Sequence, residues 1–233
     1  MYIVEGNIGA GKSTFITLLH SYLPHITYSL EPVDTWATQT YGKSLLEQFY
    51  TDPQRWAYTL ETLAMLCRSR DYLGTHDRSP YHIMERSLYS GHYCFALNGK
   101  EEGYFSPVEW DVYQQWVNFI FANKSVVPRG FIYLQTTPET CLTRIGKRSR
   151  NGESSIPLSY LEKIHHWHEQ FLIHKANVTA DISDVPVLIL DVTKDFANNP
   201  ARMAELAGLV ADFMQKNLLS AKVEKYILTC RAN

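Results

Sequence analysis

Short apolar runs alternate along the chain with longer amphipathic stretches. The runs predict strands at Tyr2–Glu5, Ile26–Leu30, Tyr81–Glu85, Phe131–Gln135 and Val187–Asp191. The stretches predict helices at Lys12–Tyr22, Pro53–Leu73, Pro107–Ala122, Pro138–Ile145, Leu158–Lys175 and Pro200–Lys216. Most of these stretches begin at a proline, which is favoured in the first turn of a helix. Strands that alternate with helices predict an α/β fold in which helices cover a parallel sheet.

Length and composition narrow the class of protein. The 233 residues suffice for one α/β core, and we expect a single domain over residues 1–217 followed by a tail, 218–233, of unassigned role. The formal net charge of -2 argues against a protein that grips long nucleic acid. The four cysteines form no CxxC pair, and no apolar run is long enough to span a membrane. We therefore expect a cytoplasmic protein with reduced thiols.

A phosphate-binding loop follows the first predicted strand. Residues 6–13 fit the P-loop pattern G-x-x-x-x-G-K-[ST] and open a predicted helix. Glycines let backbone N–H groups approach phosphate oxygens, and a helix N-terminus favours negative charge. We expect Lys12 to bridge the β- and γ-phosphates and Ser13 to bind Mg²⁺. The expected phosphate-binding residues are Gly6, Asn7, Ile8, Gly9, Ala10, Gly11, Lys12, Ser13 and Thr14.

Charged residues follow the second and third predicted strands. Residues 31–36 read Glu-Pro-Val-Asp-Thr-Trp, and residues 85–87 read Glu-Arg-Ser. The carboxyl ends of parallel strands meet at one edge of a sheet, where ligands bind in such folds. On local grounds alone, Glu85 and Arg86 are also compatible with a simple salt bridge at a strand end.

These two segments resemble the E-P-V-x-x-W and E-R-S motifs of the deoxynucleoside kinase family. The resemblance continues in the same order through residues 53–56, 133–142 and 156–163, and it covers the chain to about residue 215. It implies a P-loop kinase fold with a five-stranded parallel sheet. It also implies that ATP and Mg²⁺ are used to phosphorylate the 5′-hydroxyl of a deoxynucleoside.

The resemblance assigns catalytic roles at this edge. Glu31 is the expected general base for the 5′-hydroxyl, Arg86 holds Glu31 in register, and Glu85 supports Mg²⁺ beside Ser13. Lys12 completes the expected catalytic set. The polar, cationic segment 146–155 predicts a closing lid, whose Arg144, Arg148 and Arg150 match the family's R-x-x-x-R-x-R pattern.

The resemblance also outlines a nucleoside pocket. Tyr50 and Glu153 align with residues that bind the sugar 3′-hydroxyl, and Trp36 and Phe95 align with the apolar walls around the base. Three further positions concern the edge of the base. Arg68 is retained, Glu61 replaces the expected Gln, and Gly91 replaces the Asp that normally braces the Arg.

The replacement at Glu61 changes the hydrogen-bond code of the pocket. An ionised carboxylate only accepts, whereas an amide both donates and accepts. Guanine offers N1–H and N2–H₂ to such an acceptor, but adenine N1 and cytosine N3 are themselves acceptors. Together with the room left at Gly91, this predicts a purine preference, with deoxyguanosine first. In the opposing interpretation Glu61 only braces Arg68, and the enzyme is a broad-specificity or deoxyadenosine/deoxycytidine kinase.

Other functions remain open at this point. A nucleoside monophosphate kinase shares the fold and lid but needs extra cations for its acceptor's phosphate. A non-catalytic relative has no need of Lys12, Ser13, Glu31 and Arg86 together. The resemblance further implies a homodimer through Leu88–Asn98 and Pro107–Ala122, and feedback inhibition by a deoxynucleoside triphosphate. Neither a nucleic acid polymer nor a membrane is an expected partner.

Overall fold

A computed structural model describes residues 1–33, 44–73, 79–123, 127–148, 153 and 156–231. Side chains are described throughout these ranges except at 71–73 and 220–231. None of the described helices combines the length and the apolar character that a membrane span needs.

The described strands form a five-stranded parallel sheet. They are β1 (Tyr2–Glu5), β2 (Thr27–Ser29), β3 (His82–Glu85), β4 (Gly130–Gln135) and β5 (Val187–Asp191). Their order is β2-β3-β1-β4-β5, and every neighbouring pair is parallel. The predicted α/β class with a five-stranded parallel sheet is therefore confirmed.

Helices connect these strands. They are α1 (Lys12–Tyr22), α2 (Leu45–Thr51), α3 (Pro53–Leu73), α4, α5 (Pro107–Asn123), α6 (Pro138–Arg148), α7 (Leu158–Leu172), α8 (Ala180–Ser183) and α9 (Pro200–Arg231). Helix α4 passes from α-helical Leu88–Ser90 through a π-helical segment, Gly91–Ala96, to α-helical Leu97–Glu101. Short π-helical segments are rare and often lie at functional sites.

The core lies on both faces of the sheet because side chains alternate along each strand. Ile3 of β1 and Phe131 of β4 pack with helices α3, α4 and α5 on one face. Tyr2 and Val4 of β1 pack with α1, α6 and α9 on the opposite face. This double cover explains why the strands are continuous apolar runs, as expected for a parallel sheet.

Helices α2, α8 and α9 differ from the sequence prediction. Helix α8 (Ala180–Ser183) was not predicted. Helix α2 was not predicted, although Ser44 caps it by accepting a hydrogen bond from the Glu47 N–H. Helix α9 was predicted to end near Lys216, but it extends to Arg231 and includes most of the predicted tail.

Candidate active site

The P-loop wraps between β1 and α1 as predicted. At Gly9 the backbone has φ +80°, and a Cβ there would lie 2.6 Å from the Cys141 carbonyl oxygen, so that only glycine fits. Lys12 is buried, and its Nζ donates to the carbonyl oxygens of Gly6 (3.1 Å) and Asn7 (2.9 Å). Burial and the neighbouring Arg86 lower the pKa of Lys12 to about 8.

The rest of the P-loop is tied to its surroundings. Asn7 Nδ2 donates to the Leu161 carbonyl, and Asn7 Oδ1 accepts from the Ile8 N–H. Ala10 is buried, whereas Thr14 is exposed in the first turn of α1. Gly11 adopts φ +98° at the N-cap of that helix. The nine predicted phosphate-binding residues therefore form one continuous loop and first turn.

Glu31 lies at the carboxyl end of β2 between two arginines. Its Oε1 accepts from Arg68 Nη2 (2.6 Å) and Nε (3.1 Å), and its Oε2 accepts from Arg86 Nε (3.1 Å). All three side chains are less than a tenth exposed. Burial raises the pKa of Glu31, but Arg68, Arg86 and Lys12 outweigh this effect and lower it to about 2. The carboxylate is therefore ionised and held on both oxygens.

Arg86 reaches Glu31 from a turn with unusual backbone geometry. It has φ +66°, a left-handed conformation that disfavours side chains. Its N–H donates to the Val4 carbonyl (2.9 Å), and the next residue, Ser87, donates through Oγ to the buried Glu5 (2.5 Å). These two bonds to β1 hold the turn. Among the described residues, the buried Nη1 of Arg86 has no hydrogen-bond partner.

Ser13 and Glu85, the two residues predicted to bind Mg²⁺, contact each other directly. Ser13 Oγ donates to Glu85 Oε1 (2.8 Å), and Glu85 Oε2 accepts from the Glu31 N–H (3.2 Å). Glu85 therefore joins the first turn of α1 to the residue that follows β2. A serine hydroxyl and a carboxylate are both hard oxygen donors, the kind of ligand that Mg²⁺ prefers.

A pocket with an empty volume of about 730 Å³ opens beside these groups. It brings together most of the predicted site: Lys12, Ser13, Glu31, Tyr50, Glu61, Arg68, Glu85, Arg86, Phe95, Arg148 and Glu153. Arg86 lies over the Phe95 ring, with 4.7 Å from Cζ to the ring centroid. Tyr160 also lines the pocket; it was not predicted as a site residue, although it lies in the matching segment 156–163.

Glu61 and Arg68 depart from the predicted pairing. Both line the pocket from helix α3, but Arg68 bonds Glu31 instead of Glu61. Glu61 is about nine-tenths buried, and no described residue forms a hydrogen bond or ion pair with it. Burial raises the pKa of Glu61 to about 7, although Arg68 acts in the opposite direction. Direct bracing of Arg68 by Glu61 was one expectation, but the Arg68 guanidinium contacts Glu31.

The predicted lid is described only in part. Arg148, at the end of α6, forms an ion pair with the buried Glu153. Arg144 instead bonds main-chain carbonyls: Nη1 donates to Ala10 (3.1 Å) and Nη2 to Val192 (2.6 Å). Two predicted site residues, Trp36 and Arg150, lie outside the described residues.

Comparison with known proteins places the chain among nucleoside-phosphorylating enzymes. Residues 2–215 match the family model described as deoxynucleoside kinase. Human deoxycytidine kinase is 38% identical over 226 residues, with 87% of each chain covered. Chicken deoxycytidine kinase 2 is 35% identical over 235 residues (91% and 89% covered). Mitochondrial deoxyguanosine kinase of Xenopus laevis is 35% identical over 233 residues (91% and 88% covered).

Proposed function

The chain belongs to the deoxynucleoside kinase family, and on that basis we propose that it phosphorylates the 5′-hydroxyl of deoxynucleosides with Mg·ATP, preferring purines and deoxyguanosine first. The observation that carries the catalytic part is the ionised Glu31, fixed on both oxygens at the end of a pocket that also contains Lys12. The observation that carries the base preference is the buried, unpaired Glu61 on the wall of the same pocket.

Glu31 is proposed as the general base. A hydroxyl placed in the pocket beside it donates a hydrogen bond to the carboxylate, which receives the proton as the oxygen attacks the γ-phosphorus, the bond to the β–γ bridging oxygen breaks and ADP leaves. Phosphoryl transfer depends mainly on positioning and on cations near the transferring group. Lys12 and the unpaired Nη1 of Arg86 are such cations within the pocket. Arg148 extends the set from the lid side, and we assign Arg150 the same role from the resemblance.

Magnesium is proposed to be held by Ser13 and Glu85 together with the phosphates of ATP. Both side chains present oxygen ligands, and both lie next to the P-loop. When bound, the ion neutralises charge on the β- and γ-phosphates. The protein's own contribution is to hold Ser13 and Glu85 in contact before the nucleotide arrives.

The sugar and base are proposed to lie between helices α2, α3 and α4. Tyr50 and Glu153 bind the 3′-hydroxyl, Phe95 packs on the base, and Arg68 and Glu61 border its edge. An ionised Glu61 accepts from guanine N1–H and N2–H₂. When Glu61 is protonated it resembles the Gln it replaces, since a protonated carboxyl both donates and accepts hydrogen bonds. Its pKa of about 7 therefore favours deoxyadenosine or deoxycytidine as a second candidate substrate at lower pH.

The partners that we propose are ATP, a deoxynucleoside and a second copy of the chain. Helix α5 exposes a stripe of apolar side chains, Val108, Val112, Trp116 and Phe119, of which Phe119 is 61% exposed. Trp110 and Tyr113 of the same helix are buried in the core instead, so the dimer would use only part of the predicted aromatic surface. Feedback inhibition by a deoxynucleoside triphosphate stays a prediction. A cytoplasmic location also stays a prediction, because one relative is named as mitochondrial.

A competition assay tests the proposed activity. The purified protein with Mg·ATP receives equal amounts of four deoxynucleosides at pH 8, and each 5′-monophosphate is quantified. We expect deoxyguanosine monophosphate to dominate. Dominant deoxyadenosine or deoxycytidine product would keep the enzyme class and reject the role given to an ionised Glu61. Absence of all four products would reject the proposed activity itself.

A further inference from the structure

Gly91 leaves the space that the guanidinium of Arg68 occupies. A Cβ at position 91 would lie 2.6 Å from Arg68 Nη1, too close for non-bonded atoms. The backbone there has φ −54° and ψ −48°, ordinary helical values that any residue adopts. The backbone at position 91 therefore accepts any residue, and the constraint comes from Arg68, whose guanidinium would have to shift to make room for a Cβ.

The space at Gly91 determines where Arg68 can point. With Nη1 against Gly91, the other guanidinium nitrogens reach Glu31, at 2.6 Å from Nη2 and 3.1 Å from Nε. Glu61 lies two turns before Arg68 on the same face of α3 and lines the same pocket, yet the guanidinium of Arg68 donates to Glu31. A methyl group at position 91 would push the guanidinium back into the pocket and away from this placement.

We propose that Gly91 directs Arg68 onto the catalytic carboxylate, which makes Arg68 a positioning residue of Glu31 in addition to a wall of the base pocket. This rests on the proposed role of Glu31 as general base. Arg86 alone holds only Oε2 and leaves the carboxylate free to rotate about its terminal bond. The contact from Arg68 to Oε1 removes that rotation, so that Glu31 faces the 5′-hydroxyl in one orientation. Fixed orientation of a reacting group is a large source of rate enhancement.

The placement of Arg68 also joins two parts of the pocket. Arg68 extends from the helix that borders the base to the residue that faces the 5′-hydroxyl, with side chains that are 9% and 8% exposed at the contact. A carboxylate at position 91, such as the Asp expected from the resemblance, would offer Arg68 a nearer partner and compete with Glu31. With glycine at position 91, Arg68 therefore contacts Glu31 beside the 5′-hydroxyl and not a carboxylate beside the base.

The experiment is a double-mutant cycle on kcat, with Gly91→Ala and Arg68→Met made singly and together. We expect Gly91→Ala to lower kcat about ten- to a hundredfold, the usual effect of losing a charged hydrogen bond. Adding Gly91→Ala to the Arg68→Met variant should change kcat by less than about twofold, because the same contact is already lost. Gly208→Ala is the matched control: Gly208 is also helical, and a Cβ there meets nothing within 4 Å.

A second measurement separates positioning from general damage to the pocket. A positioning role acts on the transition state, so Gly91→Ala should lower kcat by a larger factor than it raises the KM for the nucleoside. The KM for ATP and the melting temperature should match those of the Gly208→Ala control.

Three outcomes would overturn the proposal. The first is an unchanged kcat in Gly91→Ala. The second is that Gly91→Ala lowers kcat by the same factor in the Arg68→Met background as in the unsubstituted protein. The third applies if Gly91→Ala does not fold, and it is an Arg68→Met variant that changes only the KM for the nucleoside. A Glu31→Gln variant tests separately whether Glu31 is the general base. If it keeps full kcat, the role of Glu31 as base is rejected, whatever the cycle shows.

Discussion

The hydroxyl of Ser13 lies 2.8 Å from Oε1 of Glu85, although 72 residues separate them in the chain. Both oxygens are hard donors of the kind Mg²⁺ prefers, so these two side chains would together hold a Mg²⁺ bound with ATP, once the hydroxyl turns its proton away from Glu85.

We expect Glu85→Gln to raise the Mg²⁺ concentration required for half-maximal activity by about tenfold, because an amide oxygen carries no charge for the cation. The measurement is a Mg²⁺ titration of initial rate at fixed ATP. Glu162→Gln, on the exposed side of α7, serves as the control for loss of a carboxylate. An unchanged Mg²⁺ requirement in Glu85→Gln would remove Glu85 from the metal site.

Tyr50 is expected to donate a hydrogen bond to the sugar 3′-hydroxyl. Burial, and then the neighbouring Glu153, raise the pKa of Tyr50 well above its usual value, so the phenol keeps its proton. Tyr50→Phe should raise KM for deoxyguanosine about three- to tenfold, which is the effect of one neutral hydrogen bond. The same substitution should leave the KM for 2′,3′-dideoxyguanosine unchanged, since that substrate has no 3′-hydroxyl.

A matched tyrosine on the next helix controls this comparison. Tyr58 packs edge-on against Phe105 (6.5 Å between ring centroids) and does not line the pocket. Tyr58→Phe should therefore leave both KM values unchanged. Equal effects of Tyr50→Phe on the two nucleosides would show that Tyr50 contacts another part of the substrate.

The choice of base is expected to depend on pH through Glu61. Below a pKa of about 7 the protonated carboxyl both donates and accepts, and above it the carboxylate only accepts. The ratio of deoxyguanosine to deoxyadenosine product should therefore rise between pH 6 and pH 8.5. Competition assays at several pH values measure it. A Glu61→Gln variant should give a ratio independent of pH, and a flat ratio in the unsubstituted protein would contradict the prediction.

The same carboxyl should make stability depend on pH. Its pKa is raised on folding from 4.5 to about 7, so its contribution is fully present below about pH 4.5 and is lost as pH rises through 7. Glu61→Gln has no such proton to lose. The free energy of unfolding of the variant, relative to the unsubstituted protein, should therefore increase from pH 5 to pH 8, by at most about 3 kcal/mol.

Urea unfolding of both proteins at the two pH values provides this comparison. Other titrating groups are common to the two proteins and largely cancel in the difference. A difference that stays constant from pH 5 to pH 8 would mean that Glu61 titrates alike in the folded and unfolded chains.

The sequence predicted the sheet and the P-loop well because both follow from local patterns. Helix α1 begins and ends where the pattern placed it, since the P-loop fixes its start. Helix α2 was missed although Ser44 and Glu47 have the spacing of a capping box. The capping signal was present, but the short run after it, Leu45–Thr51, shows too few turns for a clear helical period.

Which residues line the site was easier to predict than which of them contact each other. Glu31, Arg86 and Glu61 were all expected in the pocket, and all of them line it. The partner of Arg68 depends on which carboxylate its guanidinium can reach in three dimensions, and that depends on the absence of a side chain at Gly91. Sequence spacing shows which residues share a helix face, but it does not show which of two nearby charges a long side chain contacts.

The strand order has a consequence for how the chain acquires its fold. Strand β1 precedes the other four described strands in the chain, yet it lies in the middle of the sheet between β3 and β4. Its second neighbour, β4, is made more than a hundred residues later, so Tyr2, Ile3 and Val4 lack their contacts with β4 until then. Such long-range pairing slows folding and leaves apolar strands exposed to association with other chains. A nascent chain released before residue 130 would therefore leave one side of β1 unpaired and open to association with other chains.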